Sequence, residues 1–231
     1  MFDTHASYHA NSTLDTYIKA VNFAADKHKN QRRKNAEQTP YINHPIEVAD
    51  LIRQYVTFRD EDTKKYVMCA AVLHNTLEDT NTTYEELVQN FGVEVANIVS
   101  EVTDDKKMSY IDRKKHQIAH SPYLSHSAKL VKLADNLSNI RFLHNNLLTS
   151  WPSEIIRGYF IWAAAVCYSI QGVALDGYVP SPVNSNSLTS RDVPSNLLLL
   201  KLCDIFNERG VSFGINTNEL EEYYAAISKK E

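Results

Sequence analysis

The chain has 231 residues, of which 43% are hydrophobic and 23% are charged, and its formal net charge is −4. Such a length and composition are typical of a globular protein with one large domain or two small ones. The slight acidic excess gives no reason to expect nucleic acid as a partner, and six glycines and seven prolines argue against a turn-rich all-β fold.

The apolar segments bear on the cellular compartment. Residues 1–11 lack the apolar core of a secretory signal, and no run reaches the roughly 18 apolar residues of a membrane span. The cysteines Cys69, Cys167 and Cys203 each lie in an apolar stretch, which predicts buried thiols in a reducing compartment. We therefore expect a cytoplasmic or nuclear protein without a membrane partner, and take the cytoplasm as the predicted compartment.

The first part of the chain predicts a polar tail and two helices. Residues 1–12 are expected to be a disordered tail. A helix capped by Thr13 runs to about Lys29, and a second helix begins near Pro45, which suits a first-turn position. The basic segment 31–35 between them is a predicted loop.

A helix predicted over residues 61–80 carries four polar side chains within an arc of roughly 140°. Apolar residues of the same helix form a buried stripe on another side. An imidazole, an amide and two carboxylates beside a core suit a metal-assisted hydrolase, because a metal needs ligands and its water needs a basic group. An ordinary solvated polar face is the alternative. The four residues are His74, Asn75, Glu78 and Asp79.

The rest of the chain is also predicted to be helical, since it shows no sustained period-2 alternation. The segment 180–196, rich in Ser, Asn and Pro, is a predicted surface loop. We expect an all-α fold with one domain over 13–213 and a C-terminal helical tail over 214–231. The remaining predicted helices cover residues 83–92, 93–104, 109–120, 127–143, 153–172, 197–209 and 217–229.

The helix predicted over 127–143 has an apolar stripe opposite a polar side. Lys132, Asp135 and Asn139 fall within about 60° of one another on that polar side. Such an aspartate is commonly just solvated, and a histidine before a helix, such as His44, is commonly a cap or a satisfied core residue. Neither residue alone identifies a metal site.

Together these segments resemble the HD-domain metal-dependent phosphohydrolases, which place a histidine, a His-Asp doublet and a later aspartate around one divalent metal. The resemblance is closest to the hydrolase domain of RelA/SpoT-type proteins, in their small stand-alone animal form, because the chain is too short to add a synthetase domain. It spans about residues 14–213. The motifs that carry it are Arg-Arg-Lys with Thr-Pro-Tyr-Ile-Asn-His-Pro, Leu-His-Asn-Thr-Leu-Glu-Asp-Thr, Glu-Val-Thr-Asp-Asp, and Ala-Lys-Leu-Val-Lys-Leu-Ala-Asp-Asn-Leu-Ser-Asn-Ile-Arg.

The resemblance implies an HD-domain helical bundle that hydrolyses the 3′-pyrophosphate of guanosine tetra- or pentaphosphate with bound Mn²⁺, although another divalent metal such as Zn²⁺ stays open. It also implies a role for each matching residue. The metal ligands are His44, His74, Asp135 and, at the fourth position, Asn75; the acidic pair that positions or activates water is Glu78 and Asp79; the basic loop near the nucleotide is Arg32, Arg33 and Lys34; the groups on the sugar and base are Asn139 and Tyr159; a further basic group is Lys114.

Asn75 departs from the family pattern, which has an aspartate there. An amide oxygen can ligate a metal, but it brings no negative charge, so we expect weaker metal binding and a less acidic bound water. The substitution fits an engineered change, a natural pseudoenzyme, or an enzyme that tolerates the asparagine. The intact pair Glu78 and Asp79 argues against long-standing decay.

Three alternatives to the guanosine nucleotide hydrolase remain. The 2′-phosphate of NADPH is a second possible substrate, because it too places a phosphate on a ribose near a purine nucleoside. A catalytically silent nucleotide-binding protein on the same fold would explain Asn75. A helical interaction module with purely structural histidines is the third.

Overall fold

The computed structural model describes residues 12–145, 151–170 and 196–229. Within these ranges the chain is built from α-helices, a short 3₁₀ turn at Ser121–Tyr123 and one isolated bridge between Arg32 and Pro40, with no strand. The predicted all-α class is confirmed. Apart from Ser12, the predicted N-terminal tail lies outside the described residues, as does the predicted loop up to residue 195.

Apart from the helix predicted over 61–80, the helices follow the predicted order with small shifts at their ends. None of the helices in the described part of the chain is long and apolar enough to cross a bilayer. Their bounds are α1 Thr13–Lys27, α2 Asn43–Tyr55, α3 Glu61–Leu73, α4 Thr76–Asp79, α5 Tyr84–Phe91, α6 Val93–Val102, α7 Tyr110–His120, α8 His126–Asn145, α9 Ser153–Ile170, α10 Leu197–Glu208 and α11 Thr217–Ser228.

The cap of α1 differs from the prediction by one residue. Ser12, not Thr13, is the N-cap: its hydroxyl accepts from the Asp15 backbone N–H at 3.1 Å, while the Asp15 carboxylate accepts from the Ser12 N–H at 3.2 Å. This reciprocal pair is a capping box, which satisfies two N–H groups at once and therefore outcompetes a cap at the next residue.

The single helix predicted over 61–80 is wrong, because the chain breaks between α3 and α4. The ring of His74 bonds the Ala71 carbonyl at 2.7 Å, and the Thr76 hydroxyl donates to the Leu73 carbonyl at 2.7 Å. Side chains thus engage carbonyls at the end of α3, and Asn75 takes a non-helical conformation with φ −99° and ψ 1°.

Helix α8 lies at the centre of the fold and packs against α2, α3, α6, α9 and α10. Its predicted apolar stripe is buried, and full burial of each leucine contributes about 1.5–3 kcal/mol. Lys132, Asn136 and Ser138 on its other sides are buried as well, so the polar side of α8 faces a cavity and neighbouring helices rather than bulk water. The stripe residues are Leu130, Leu133, Leu137 and Ile140.

The C-terminal helix α11 packs against α9. Gly158 of α9 permits this close approach, because a Cβ there would collide with the Tyr223 side chain. Tyr223 and Tyr224 are buried in the contact. The boundary at residue 213 between domain and tail stays a prediction.

Candidate active site

Three side chains from separate elements converge at the centre of the bundle. His44 is in the first turn of α2, His74 follows α3, and Asp135 lies on α8. The Nε2 atom of His44 is 3.1 Å from Asp135 Oδ1, and the Nε2 atom of His74 is 3.6 Å from the same oxygen. One possible ligand atom from each residue lies within 4.8 Å of the others, a spacing that suits one metal ion.

The protonation of His74 tests whether the cluster fits a metal. A backbone carbonyl can only accept, so the contact with Ala71 O puts the ring proton of His74 on Nδ1. In the neutral ring the lone pair is then on Nε2, an atom that is buried and has no hydrogen-bond partner among the described residues. A nitrogen lone pair facing a carboxylate is unfavourable unless a cation sits between them. The residues present therefore fit a divalent metal.

The charge states of the cluster agree with that fit. Burial lowers the pKa of His44 to about 4 despite the neighbouring carboxylate, so its ring is neutral at physiological pH. Burial alone would raise the pKa of Asp135, but the adjacent His44 and His74 rings hold it well below its usual range. Neutral imidazoles and an ionised carboxylate are the forms that bind metals.

Asn75 lines the same cavity as the three clustered residues. Its Nδ2 donates to the Tyr41 hydroxyl at 2.6 Å, and no described residue donates to its Oδ1. The amide oxygen is therefore the end of the side chain that stays available to a cation in the cavity.

The acidic pair on α4 has two different environments. Glu78 accepts from the Asp104 backbone N–H at 3.2 Å, and burial together with the Asp104 carboxylate raises its pKa. Asp79 pairs with Lys106 at 2.6 Å, which offsets its charge. Glu78 is consequently the better proton acceptor of the two.

Two adjoining cavities, of about 190 and 250 Å³, hold all twelve predicted site residues. Asn139 and Tyr159 line both, and only the second contains the predicted basic loop, Arg32, Arg33 and Lys34. The other predicted residues lie in the first: His44, His74, Asn75, Glu78, Asp79, Lys114 and Asp135. The roles assigned to them stay predictions.

Lys114 is a buried lysine in an aromatic setting. Its Nζ lies 3.2 Å from the ring centroid of Trp162 and 4.8 Å from that of Tyr159. Burial, and then the positive charge of Lys132, lower its pKa to about 7. In the second cavity, the guanidinium of Arg33 lies 4.1 Å from the centroid of Phe142.

Several cavity residues were not predicted as site residues. There were grounds in the sequence for including Tyr41 in the site, because it lies three residues before His44 in the same motif. There were grounds for including Lys132 as well, because Lys132 shares the polar side of α8 with Asp135. Asp104 lies in one of the quoted motifs. Trp162 and Trp151 had no signal beyond their aromatic character, since only the packing of α9 brings them to the cavities.

Comparison with known proteins identifies the family. A family model described as HD domain matches residues 20–154. Guanosine-3′,5′-bis(diphosphate) 3′-pyrophosphohydrolase MESH1 of Danio rerio is 47% identical over 161 residues, 70% of this chain and 87% of that protein. MESH1 of Drosophila melanogaster is 37% identical over 195 residues, 84% of this chain and 95% of that protein.

A solved structure agrees with these relatives. It is described as a metazoan ortholog of SpoT that hydrolyses ppGpp, and it matches with a TM-score of 0.71 and 36% identity, covering 85% of this chain and 97% of the other. The chain therefore belongs to the HD-domain family and, within it, to the metazoan branch of SpoT homologues.

Proposed function

We propose that this chain is a metal-dependent hydrolase that removes the 3′-pyrophosphate from guanosine tetra- or pentaphosphate. The observation that carries the proposal is the convergence of His44, His74 and Asp135 on one point, in the same cavity as Glu78. The names of the relatives supply the substrate and favour the guanosine nucleotide over NADPH, a silent binding protein or an interaction module.

The proposed cofactor is Mn²⁺, held by His44, His74, Asp135 and the amide oxygen of Asn75. Carboxylate and carbonyl oxygens suit Mn²⁺, whereas imidazole nitrogens also suit Zn²⁺. A bound divalent metal would supply Lewis-acid activation of water and of a phosphate oxygen.

Glu78 has the features of the general base. It is ionisable with a raised pKa, lies in the cavity, and is four residues from His74 across the break between α3 and α4. In the proposed reaction its carboxylate takes the proton of the attacking water, the water oxygen bonds to phosphorus, and the bond from phosphorus to the ribose 3′-oxygen breaks. The 3′-oxygen leaves and takes up a proton from the Glu78 carboxyl group or from solvent, giving pyrophosphate with GDP from the tetraphosphate or GTP from the pentaphosphate.

The cations of the first cavity would offset the phosphate charge. Lys114 and Lys132 both line it, together with the acidic groups of α4. Positive groups already in place stabilise the charge that gathers on phosphate oxygens in the transition state. Asp79, whose charge is paired with Lys106, would orient the water rather than take its proton.

The second cavity has the composition of a nucleoside site. Tyr159 and Trp151 offer ring faces for a purine, and Asn139, which donates to Asp135 Oδ1 at 2.7 Å, lies between the two cavities near the expected sugar. Arg32, Arg33 and Lys34 would meet the 5′-phosphates. We place the protein in the cytoplasm, which suits the free thiols of Cys69, Cys167 and Cys203.

The test is a product assay. Purified chain with Mn²⁺ is incubated with guanosine tetraphosphate or with NADPH, and the products are separated by anion-exchange chromatography. We expect pyrophosphate and GDP from the first and no phosphate from the second, with both products lost in His74→Ala. Release of phosphate from NADPH without release of pyrophosphate from guanosine tetraphosphate would contradict the proposed substrate. Tight nucleotide binding without any product would contradict the proposal that the chain is an enzyme.

A further inference from the structure

A serine and a glutamate that do not line the catalytic cavity connect the helices that carry His44 and Asp135. The Nδ1 atom of His44 is 2.9 Å from the hydroxyl oxygen of Ser138, and that hydroxyl donates to Glu47 Oε2 at 2.8 Å. Glu47 lies one turn after His44 on α2, and Ser138 lies one turn after Asp135 on α8. The three groups form a continuous chain.

The donors and acceptors fix the direction of this chain. An ionised carboxylate only accepts, so the hydroxyl proton of Ser138 points to Glu47. The oxygen of Ser138 then presents a lone pair to His44, whose ring proton must be on Nδ1 to complete the contact. The Nε2 atom keeps its lone pair and faces Asp135 Oδ1 at 3.1 Å, in the form that can bind a metal.

Without the carboxylate, the opposite arrangement becomes available. A hydroxyl free to rotate can donate to Nδ1 of His44, and the ring proton then moves to Nε2, where it bonds to Asp135. That proton would occupy the position that a cation needs. Ser138 is fully buried and His44 is 2% exposed, so their contact is shielded from bulk water.

We infer that Glu47 and Ser138 are positioning residues, which hold His44 in the tautomer that ligates the metal. Outer partners of metal-bound histidines fix the tautomer and the ring orientation in this way, and their loss costs about 10–100-fold in metal affinity. The inference rests on one part of the proposed function, namely that the cluster of His44, His74 and Asp135 holds a divalent metal. It does not depend on which substrate the protein hydrolyses.

The experiment measures the affinity of metal-stripped protein for Mn²⁺ by titration calorimetry. Wild type, Glu47→Ala, Ser138→Ala and the double variant form a double-mutant cycle. We expect each single change to weaken binding by about tenfold or more, and the double variant to bind no more weakly than the weaker single one, because both changes interrupt the same chain.

Two control variants separate this role from general effects of charge or of a lost hydroxyl. Asp50→Ala removes another carboxylate from α2, whose partners are Arg53 and Gln54. Ser169→Ala removes a hydroxyl that, among the described residues, bonds its own helix at the Ala165 carbonyl. Both should leave the Mn²⁺ affinity within twofold of wild type. Histidine ¹⁵N spectra of metal-free protein should show more protonation at Nε2 of His44 in Glu47→Ala than in wild type.

Unchanged affinity in Glu47→Ala would overturn the inference, and so would additive losses in the double variant. Glu47 is only partly buried, so we expect Glu47→Ala to fold, and this variant tests the inference even if Ser138→Ala does not fold. A wild type that binds no Mn²⁺ also overturns it. Tight Mn²⁺ binding without hydrolysis of guanosine tetraphosphate contradicts the proposed function but leaves the positioning pair intact.

Discussion

The side-chain nitrogen of Asn75 donates a 2.6 Å hydrogen bond to the hydroxyl of Tyr41. This contact fixes the amide so that its oxygen, rather than its NH₂ group, is available in the cavity that holds His44, His74 and Asp135. The asparagine can thus take the place of a carboxylate as an oxygen ligand, but without the charge that makes a carboxylate bind a cation strongly. We therefore expect the site to bind a metal more weakly than a site with a carboxylate at position 75.

Tyr41→Phe tests that contact. The amide of Asn75 would lose its acceptor and could turn its NH₂ group toward the metal, so we expect the Mn²⁺ affinity to fall by about 2- to 12-fold, which corresponds to one hydrogen bond of about 0.5–1.5 kcal/mol. Calorimetric titration measures the change. Tyr66→Phe on α3 is the matched control, because Tyr66 lines neither cavity; equal losses in both variants would contradict the role of Tyr41.

Glu78→Gln tests the proposed base. Glutamine retains the shape of the side chain but cannot take a proton, so turnover should fall by about 10²–10⁴-fold while Mn²⁺ binding is retained. Because burial raises the pKa of Glu78, the activity of wild type should decline as the pH falls through that raised value, where the carboxylate becomes protonated. Steady-state rates across pH check both points. A Glu78→Gln variant as active as wild type would exclude this residue as the base.

Lys114→Met tests the buried cation through stability. The pKa of Lys114 is about 7 in the folded chain and 10.5 in its ordinary state. Between these values the unfolded chain binds a proton that the folded chain does not, so the free energy of unfolding should rise with pH, by at most about 1.4 kcal/mol per pH unit. Methionine removes that contribution.

Urea unfolding of metal-free protein between pH 7.5 and 9.5 measures the slope. Lys114→Met should show a flatter dependence than wild type, whereas Lys115→Met, an exposed neighbour, should keep the wild-type slope. Identical slopes in wild type and Lys114→Met would mean that Lys114 is charged in the folded chain throughout this range.

Metal removal should destabilise the folded chain. A ligand present at a hundredfold excess over its dissociation constant stabilises the fold that binds it by about 2.7 kcal/mol. Calorimetric scans with Mn²⁺ should therefore give a higher melting temperature than scans with a chelator, and His74→Ala should show no such difference. If the melting temperature of wild type is the same with Mn²⁺ and with the chelator, the histidines are purely structural.

The order of the helices could be predicted because apolar periodicity and caps are local. Thr83 caps α5, accepting from the Glu86 N–H, and Gly210 follows α10 with a φ of 62°, a conformation that glycine favours. The break at His74 and Asn75 could not be predicted, since it depends on side chains that bond the carbonyls of Ala71 and Leu73 instead of facing solvent.

The residues of the candidate site that lie in contiguous sequence motifs could be predicted. Sequence patterns placed His44, His74 and Asp135 on different elements, and the fold brings them together. The contact between Ser138 and Glu47 joins residues 91 positions apart, and neither residue type suggests a function alone. Partners that meet only through the packing of α2 on α8 are not visible in a single sequence.

The most direct measurement is release of pyrophosphate from guanosine tetraphosphate with Mn²⁺, for the chain and for Asn75→Asp side by side. The added carboxylate should strengthen metal binding and raise the rate at limiting Mn²⁺ by about tenfold or more. We expect both proteins to release pyrophosphate and GDP, and Asn75→Asp to be the faster of the two. If both bind Mn²⁺ and neither releases pyrophosphate, the central claim that this site hydrolyses a guanosine 3′-pyrophosphate is contradicted.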